Sequence, residues 1–298
     1  MTATGRRPNL FLIGAPKCGT TSLAGYLAGH PQVFVSDPKE PHFFNTDSEF
    51  RFTRSWADYE AIFATADSQH RWVMEASTGY LYSEVAVQNI VSFNPDARFI
   101  VLLRRPVEMV VSLHAQLLLG QQEEIEDFEH AWDVIAARKE GRDLPPRCRD
   151  QRFLYYDEIA RYGAQLERVF ATVPRDHVLA ILFDDLAHDP HAVYEQVLAF
   201  LGLDSDGRQI FDVLNERKAL RSRRLNRILS NPHFLRLKQL LGVNTPTGLL
   251  APFHSINRKP AVRKPLSTEL RTRIIKTYAD DVRVLERLLD RSLDHWLG

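Results

Sequence analysis

The sequence predicts an α/β fold: a three-layer sandwich around a central, mainly parallel sheet, in a single domain covering residues 1–298. Three observations predict it. Short apolar runs recur along the chain with helix-compatible stretches between them. Two of those runs, "RWVMEAS" and "ARFIVLLR", are almost continuously apolar, as strands covered on both faces must be. The first run, "NLFLIGA", leads straight into a glycine loop, "GAPKCGTTSL", and then into a helical segment. That strand–turn–helix order aims backbone N–H groups at an anion.

The elements follow in order. "NLFLIGA" is the first strand. "TSLAGYLAGH" is a short helix with hydroxyl residues at its start to cap free backbone donors. "PQVFVS" is a second, short strand, and "RWVMEAS" and "ARFIVLLR" are the third and fourth. "RPVEMVVSLHAQLLLG" reads as a helix with Pro106 in its first turn. "DHVLAILFDDL" is the fifth strand. "DPHAVYEQVLAFLGL" is a helix opened by Asp-Pro and closed at Gly202. From Ser267 the tail has apolar residues at helical spacing, with a loosely formed capping box at Ser267 and Glu269. In such a sheet, ligands bind at the carboxyl ends of the strands.

Composition narrows the function. Of 298 residues, 44% are hydrophobic, enough for a substantial core. Basic and acidic residues balance at 38 each, so no global field draws the chain to nucleic acid or an anionic membrane, and any anion site is local. Two cysteines, Cys18 and Cys148, make no disulfide framework and no zinc cluster. Free thiols fit a reducing cytosol, so a cytoplasmic location is expected. The apolar run near the N-terminus is read as the first strand rather than a signal peptide. No stretch is long enough to span a bilayer.

The loop resembles a nucleoside-triphosphate loop with its lysine displaced. Gly14 and Gly19 have the required spacing, but Thr20 stands where the lysine belongs, and Lys17 comes earlier. Lys17 adds a full charge, and Thr20, Thr21 and Ser22 add hydroxyls. The loop therefore reads as a cradle for one phosphate group. The plainer alternative is a strand-to-helix turn with a capping run. Cys18 is read as a small filler, because a phosphatase loop would carry arginine where Ala24 stands. A second anion site is suggested by "VLLRRPVEMVVSL". Arg104 leaves a strand and Ser112 lies about two helical turns on. A guanidinium makes forked bonds to phosphate. Together the two sites suggest a nucleotide phosphorylated at both ends of its ribose. A kinase using ATP and Mg²⁺ is the alternative, with Asp184 or Asp185 on the metal.

These residues resemble a known family. The loop "GAPKCGTTSL", the segment "HPQVFVSDPKEPHFFN", the unit "LRRPVEMVVSLH" and the stretch "LFDDLAHDPHAVYEQVLAFLGL" are similar, in order, to sulfotransferases that use 3′-phosphoadenosine 5′-phosphosulfate (PAPS). Bacterial members and the heparan-sulfate branch are the most similar. The resemblance implies that Lys17, Gly19, Thr20, Thr21 and Ser22, with Cys18 between them, hold the 5′-phosphosulfate. It implies that Arg104 and Ser112 hold the 3′-phosphate, and that no metal is required. Arg258, Lys259 and Arg263, in "NRKPAVRKPL", are candidates for a basic loop closing over that phosphate.

It further implies a catalytic base at Glu40, in "KEPHFF", with His42 as a supporting or alternative base and Lys17 stabilising the leaving group. Residues two apart in an extended segment share a side, so Glu40 and His42 can face one pocket. Glu40 paired with Lys39 on a surface turn is the structural alternative. One departure stands out: Ala76, in "EASTGY", replaces a lysine of the heparan-sulfate branch. The implied acceptor is a small molecule, glycolipid or carbohydrate bearing a hydroxyl or amine. Its pocket is expected in variable loops, among them "NTDSEFRFTRSW", "RKEGRDLPPRCRDQRF" and residues 221 to 256.

Overall fold

The computed structural model describes residues 6–212 and 265–298, together with the backbone of two short strands at 218–220 and 258–260. Residues 1–214 and 266–298 belong to one compact unit, and residues 215–265 to a second. In the second, β6 (Lys218–Leu220) pairs antiparallel with β7 (Arg258–Pro260).

The first unit is built on five parallel strands: β1 (Leu10–Gly14), β2 (Val33–Val35), β3 (Trp72–Ala76), β4 (Arg98–Leu103) and β5 (Val178–Leu182). Their order across the sheet is β2-β3-β1-β4-β5. All five apolar runs of the sequence are strands. β1 and β3 are buried at every position, and β4 at all but Arg98, because helices cover both faces. β5 lies at an edge and is only half-buried over its first three residues.

β1 is central, with β3 on one side and β4 on the other. The strand order turns around it, which opens a crevice at its carboxyl end. A bulge prepares that end. Leu12 pairs with Ile100 but Gly14 pairs with Val101, so Ile13 is an extra residue against β4. The Ile13 carbonyl accepts from Leu81 N instead, at 2.8 Å. The chain beyond β1 is thereby aimed toward the residues that follow β3.

The expected helices are present: α1 (Thr20–Ala28), α4 (Pro106–Leu119), α9 (Pro190–Leu201) and α10 (Thr268–Leu289). Gly202 closes α9 with φ 61, a left-handed turn that glycine adopts without steric cost. Ser267 caps α10 by accepting from Leu270 N at 3.1 Å. Further helices were not read from the sequence: α2 (Trp56–Ile62), α3 (Ala86–Phe93), α5 (Phe128–Asp133), α6 (Ile135–Lys139) and α7 (Tyr162–Thr172). The fifth strand ends earlier than expected. "FDDLAH" forms a short helix, α8 (Phe183–His188), because its polar residues serve as first-turn acids rather than strand residues. A last turn, α11 (Asp294–Leu297), follows α10.

Candidate active site

The glycine loop joins β1 to α1 at the centre of the sheet edge. Gly14 has φ 153 and Gly19 φ 88. A Cβ on Gly14 would stand 2.8 Å from Leu81 Cβ and 3.0 Å from the Thr78 carbonyl. On Gly19 it would stand 2.9 Å from Leu186 Cδ2 and 3.0 Å from Phe183 Cδ2. Both positions are therefore closed to a side chain. The backbone can lie tight against β3's continuation on one side and α8 on the other. Gly19 is the N-cap of α1, which has no side-chain cap and no acid in its first turn. Its positive dipole end therefore faces the glycine loop with no side-chain acceptor from its own cap.

Lys17, Gly19 and Thr21 are half-buried, and Thr20 and Ser22 are buried beneath them. Cys18 points into the core. Its Sγ donates to the Pro16 carbonyl at 3.3 Å and lies 3.8 Å from the Tyr162 hydroxyl. Burial pushes the thiol up to about 12. Cys18 can thus serve the loop only through its backbone.

Arg104, at the end of β4, is 8% exposed. Its Nη1 donates to the Lys17 carbonyl at 3.4 Å, and its Nε and Nη2 donate to Glu108 Oε2 at 3.0 and 2.6 Å. The guanidinium also stacks over Phe183, 4.5 Å from the ring centre. One arginine thus ties the glycine loop to the first turn of α4 and to α8. Ser112 is buried on α4.

Glu40 and His42 lie in the segment after β2. Glu40 Oε1 accepts from Lys39 Nζ at 2.7 Å. Glu40 Oε2 lies 3.1 Å from His42 Nε2 and accepts from Thr78 Oγ1 at 3.2 Å. The Lys39 pairing and the pairing with His42 therefore coexist. Burial would raise the Glu40 carboxyl, but His42's hydrogen bond and Lys39's charge outweigh it and hold it at about 2. His42 is 1% exposed, and its Nδ1 is buried without a hydrogen-bond partner among the described residues. An ionised carboxylate only accepts, so Nε2 is the ring nitrogen that donates to Glu40.

The segment is not extended, as the sequence reading supposed. Glu40 has φ 65 and His42 φ 50. Side chains with a Cβ avoid this left-handed region, and residues held there are constrained by their surroundings. Among the described residues, six non-glycines have positive φ, and Lys17, Glu40 and His42 are three of them. Backbone strain is thus concentrated on the residues singled out for chemistry. Glu40 N donates to the Ala76 carbonyl at 2.9 Å and His42 N to Ser77 Oγ at 3.0 Å, which holds the wound backbone.

The stretch after β3 joins the two halves of the site. The Thr78 carbonyl packs against Gly14, while the Thr78 hydroxyl reaches Glu40. This residue was missed in the sequence. So was Glu75, a wholly buried carboxylate in β3. Burial pushes its carboxyl up to about 7, against the opposing hydrogen bonds of Ser77, Tyr59 and Tyr80. An acid inside the apolar run "WVMEA" was the available signal.

Two of the expected acceptor loops meet beside His42. Ser48 donates to Asp150, and Arg152 bridges Asp47 and Asp150 at 3.1 and 2.8 Å. Phe50 and Phe52 pack on the His42 ring with centroids 5.1 and 5.8 Å away. Phe52 remains 57% exposed, so an apolar face stays open next to the Glu40–His42 pair. The Arg149 guanidinium lies 6.0 and 5.6 Å from the centres of these rings.

Other candidates fall elsewhere. Asp184 Oδ2 accepts from Trp296 Nε1 at 3.0 Å and lies 3.2 Å from His295 Nε2; Asp185 pairs with Arg291. Both aspartates hold the C-terminal segment, which weighs against the kinase alternative. The side chains of Arg258 and Lys259, and all of Arg263 and 221–256, lie outside the described residues.

Comparison with known proteins bears on this geometry. Residues 7–240 match the model of the family described as "Sulfotransferase domain". The human bifunctional heparan sulfate N-deacetylase/N-sulfotransferase 3 is 27% identical over 207 residues, which is 66% of this chain and 22% of that protein. The human heparan sulfate glucosamine 3-O-sulfotransferase 6 is 27% identical over 213 residues, 67% of this chain and 54% of that protein. The chain thus matches only part of the length of either relative. A crystal structure of a sulfotransferase from Alicyclobacillus acidocaldarius superposes with a TM-score of 0.73 at 25% identity, covering 98% of this chain and 100% of that one.

Proposed function

The chain belongs to the sulfotransferase family, and on that premise we propose that it transfers a sulfuryl group from PAPS to a hydroxyl or amine, with Glu40 as general base. The observation that carries this reading is the Thr78 bridge, which links an ionised carboxylate to the glycine loop. The family match runs past residue 215, which supports reading residues 1–298 as one sulfotransferase domain.

The uncapped start of α1, with Lys17, Gly19, Thr20, Thr21 and Ser22, holds the 5′-phosphosulfate. The closed approach at Gly14 and Gly19 suits a backbone cradle. Arg104 and Ser112 hold the 3′-phosphate, Arg104 sharing its fork with Glu108. Arg258, Lys259 and Arg263 are the remaining candidates for that phosphate. The bound donor supplies the electrophilic sulfur and a leaving group whose bridging oxygen gains charge.

Lys17 stabilises that charge, and only the part of its interaction that strengthens in the transition state accelerates the reaction. Glu40 takes the acceptor's proton. Among the described residues its Oε2 has two donors, His42 and Thr78, and Oε1 has Lys39, so Oε1 has room for the acceptor's O–H or N–H. His42 orients the carboxylate by donating from Nε2. A carboxylate held so low is ionised at every physiological pH, at the expense of proton affinity.

The acceptor lies against Phe52 and Phe50, which favours a small molecule or glycan with an apolar face. Arg149 suits an anionic group on it. Both cysteines are free thiols, which fits a cytoplasmic protein. The test is to incubate the protein with PAPS, chelator and a panel of hydroxylated and amino compounds, and to look by mass spectrometry for added SO₃. PAP, the desulfated donor, should bind in chelator. A requirement for Mg²⁺ and a preference for ATP would overturn the reading.

A further inference from the structure

Glu75 is wholly buried, yet three hydroxyls converge on it. Tyr59, from α2, donates to Oε2 at 2.9 Å, Tyr80 to Oε2 at 3.0 Å and Ser77 to Oε1 at 2.6 Å. Two of these hydroxyls lead outward. Ser77 Oγ accepts from His42 N at 3.0 Å. The Tyr80 oxygen accepts from Phe43 N at 2.8 Å and Phe44 N at 3.1 Å. A hydroxyl has one proton, so the direction of each relay is set. The protons point to Glu75, and the lone pairs face the backbone of residues 42–44.

That backbone needs outside partners. No helix or strand is present from residue 36 to 55, and buried N–H groups left unpaired are costly. Tyr59 adds a second hold, because its ring stacks on Phe43 at 4.3 Å while its hydroxyl reaches the same carboxylate. Phe44 in turn packs edge-on against Phe11 of β1 at 6.0 Å. The left-handed conformations of Glu40 and His42 persist only if their surroundings over-determine them.

We propose that Glu75 is a positioning residue: its buried carboxylate, acting through Ser77 and Tyr80, holds the backbone of His42, Phe43 and Phe44 so that His42 and Thr78 meet the Glu40 carboxylate. The proposal rests on the reading of Glu40 as the base. The relay is complete in the ionised form, which accepts from all three hydroxyls and which Glu75 adopts as pH rises through about 7. A glutamine at this position would turn two donors toward hydroxyls that must themselves donate, and the Tyr80 oxygen already accepts two N–H groups. Thr78 lies within the same stretch as Ser77 and Tyr80, so fixing that stretch also fixes the bridge from Gly14 to Glu40.

The test uses the full chain and three variants: Glu75→Gln, Tyr80→Phe and Ser77→Ala. Ser77→Ala removes only the relay to His42 N and is the mildest. PAP affinity, measured by calorimetry, reports the glycine loop and the fold. It should stay within about threefold of the parent, since the relay hydroxyls are engaged with Glu75 and with the backbone of residues 42–44. The Glu40 carboxyl is followed by carbon-13 NMR titration, assigned with Glu40→Gln. Its midpoint, about 2 in the parent, should rise by about a unit or more in each variant, as His42 loosens. The amides of residues 42–44 should exchange about tenfold faster in Glu75→Gln and Tyr80→Phe. Variants that bind PAP yet keep the parent's Glu40 midpoint and amide exchange would overturn the proposal. A parent that fails to bind PAP would refute the sulfotransferase reading instead, and the Glu40 titration would still decide this one.

Discussion

His42 Nε2 lies 3.1 Å from Glu40 Oε2, and the opposite ring nitrogen is buried with no partner among the described residues. The ring nitrogen facing the carboxylate donates to it, and Glu40 is the base we propose. Glu40→Gln should lower kcat by about 10²–10⁴-fold while leaving PAP affinity nearly unchanged. Steady-state kinetics on an acceptor found by the mass-spectrometric screen, with calorimetry of PAP, checks both parts. Full activity in the variant would remove Glu40 from the mechanism.

Lys17 sits at φ 64, in the loop whose carbonyl Arg104 grips. Lys17→Met should cost about 10²–10³-fold in kcat, the scale of losing one group that stabilises developing charge. A change confined to KM would mean that the lysine binds ground and transition states alike.

Gly19→Ala places a methyl 2.9 Å from Leu186 and forces alanine to φ 88. The backbone term alone is about 1–2 kcal/mol. PAP affinity should fall by about tenfold or more as the loop shifts, because 1.4 kcal/mol is a factor of about ten. Unchanged affinity would show that the cradle does not depend on this close approach.

Stability should depend on pH through two carboxyls of opposite sign. Glu75 titrates at about 7 in the folded chain against an ordinary value of 4.5. Between those values the folded state holds the extra proton, so its contribution is complete below 4.5 and is lost as pH rises through about 7. The loss is about 3 kcal/mol. Glu40 acts in reverse: its contribution is present above 4.5 and is lost as pH falls toward about 2. Thermal melting from acid to neutral pH should show both limbs, and Glu75→Gln should flatten the upper one. An unaltered upper limb in that variant would assign it to another group.

Cys18 should resist alkylation in the folded protein. Its thiol is fully buried and pushed up to about 12, so almost none is thiolate at pH 8. Mass spectrometry after iodoacetamide should find Cys18 unmodified in buffer and modified in urea. Rapid modification of the native chain would reopen a nucleophilic role.

Much of this architecture is legible in the chain. Buried parallel strands must be apolar throughout, so "LFLIG" and "RFIVLL" announce themselves without any partner in view. A glycine loop after such a strand needs only local chemistry, as do Ser267 and Gly202 at the ends of their helices. The resemblance located Glu40 and His42, but their contact depends on a wound backbone that no alternation pattern encodes. α2 and α3 were missed because each is about two turns long and depends on packing rather than propensity.

The candidate base came from the resemblance, and strand identity and the glycine loop follow from local sequence, because each of these two depends on neighbours a few residues away. The meeting of loop and base does not. It depends on β3 lying beside β1, on Thr78 filling the space that Gly14 leaves, and on a buried acid whose donors stand at positions 59, 77 and 80. Those are long-range contacts. Free energy rewards them only once the sheet has assembled and water has left the site, so the chain carries the parts and the folded packing sets their distances.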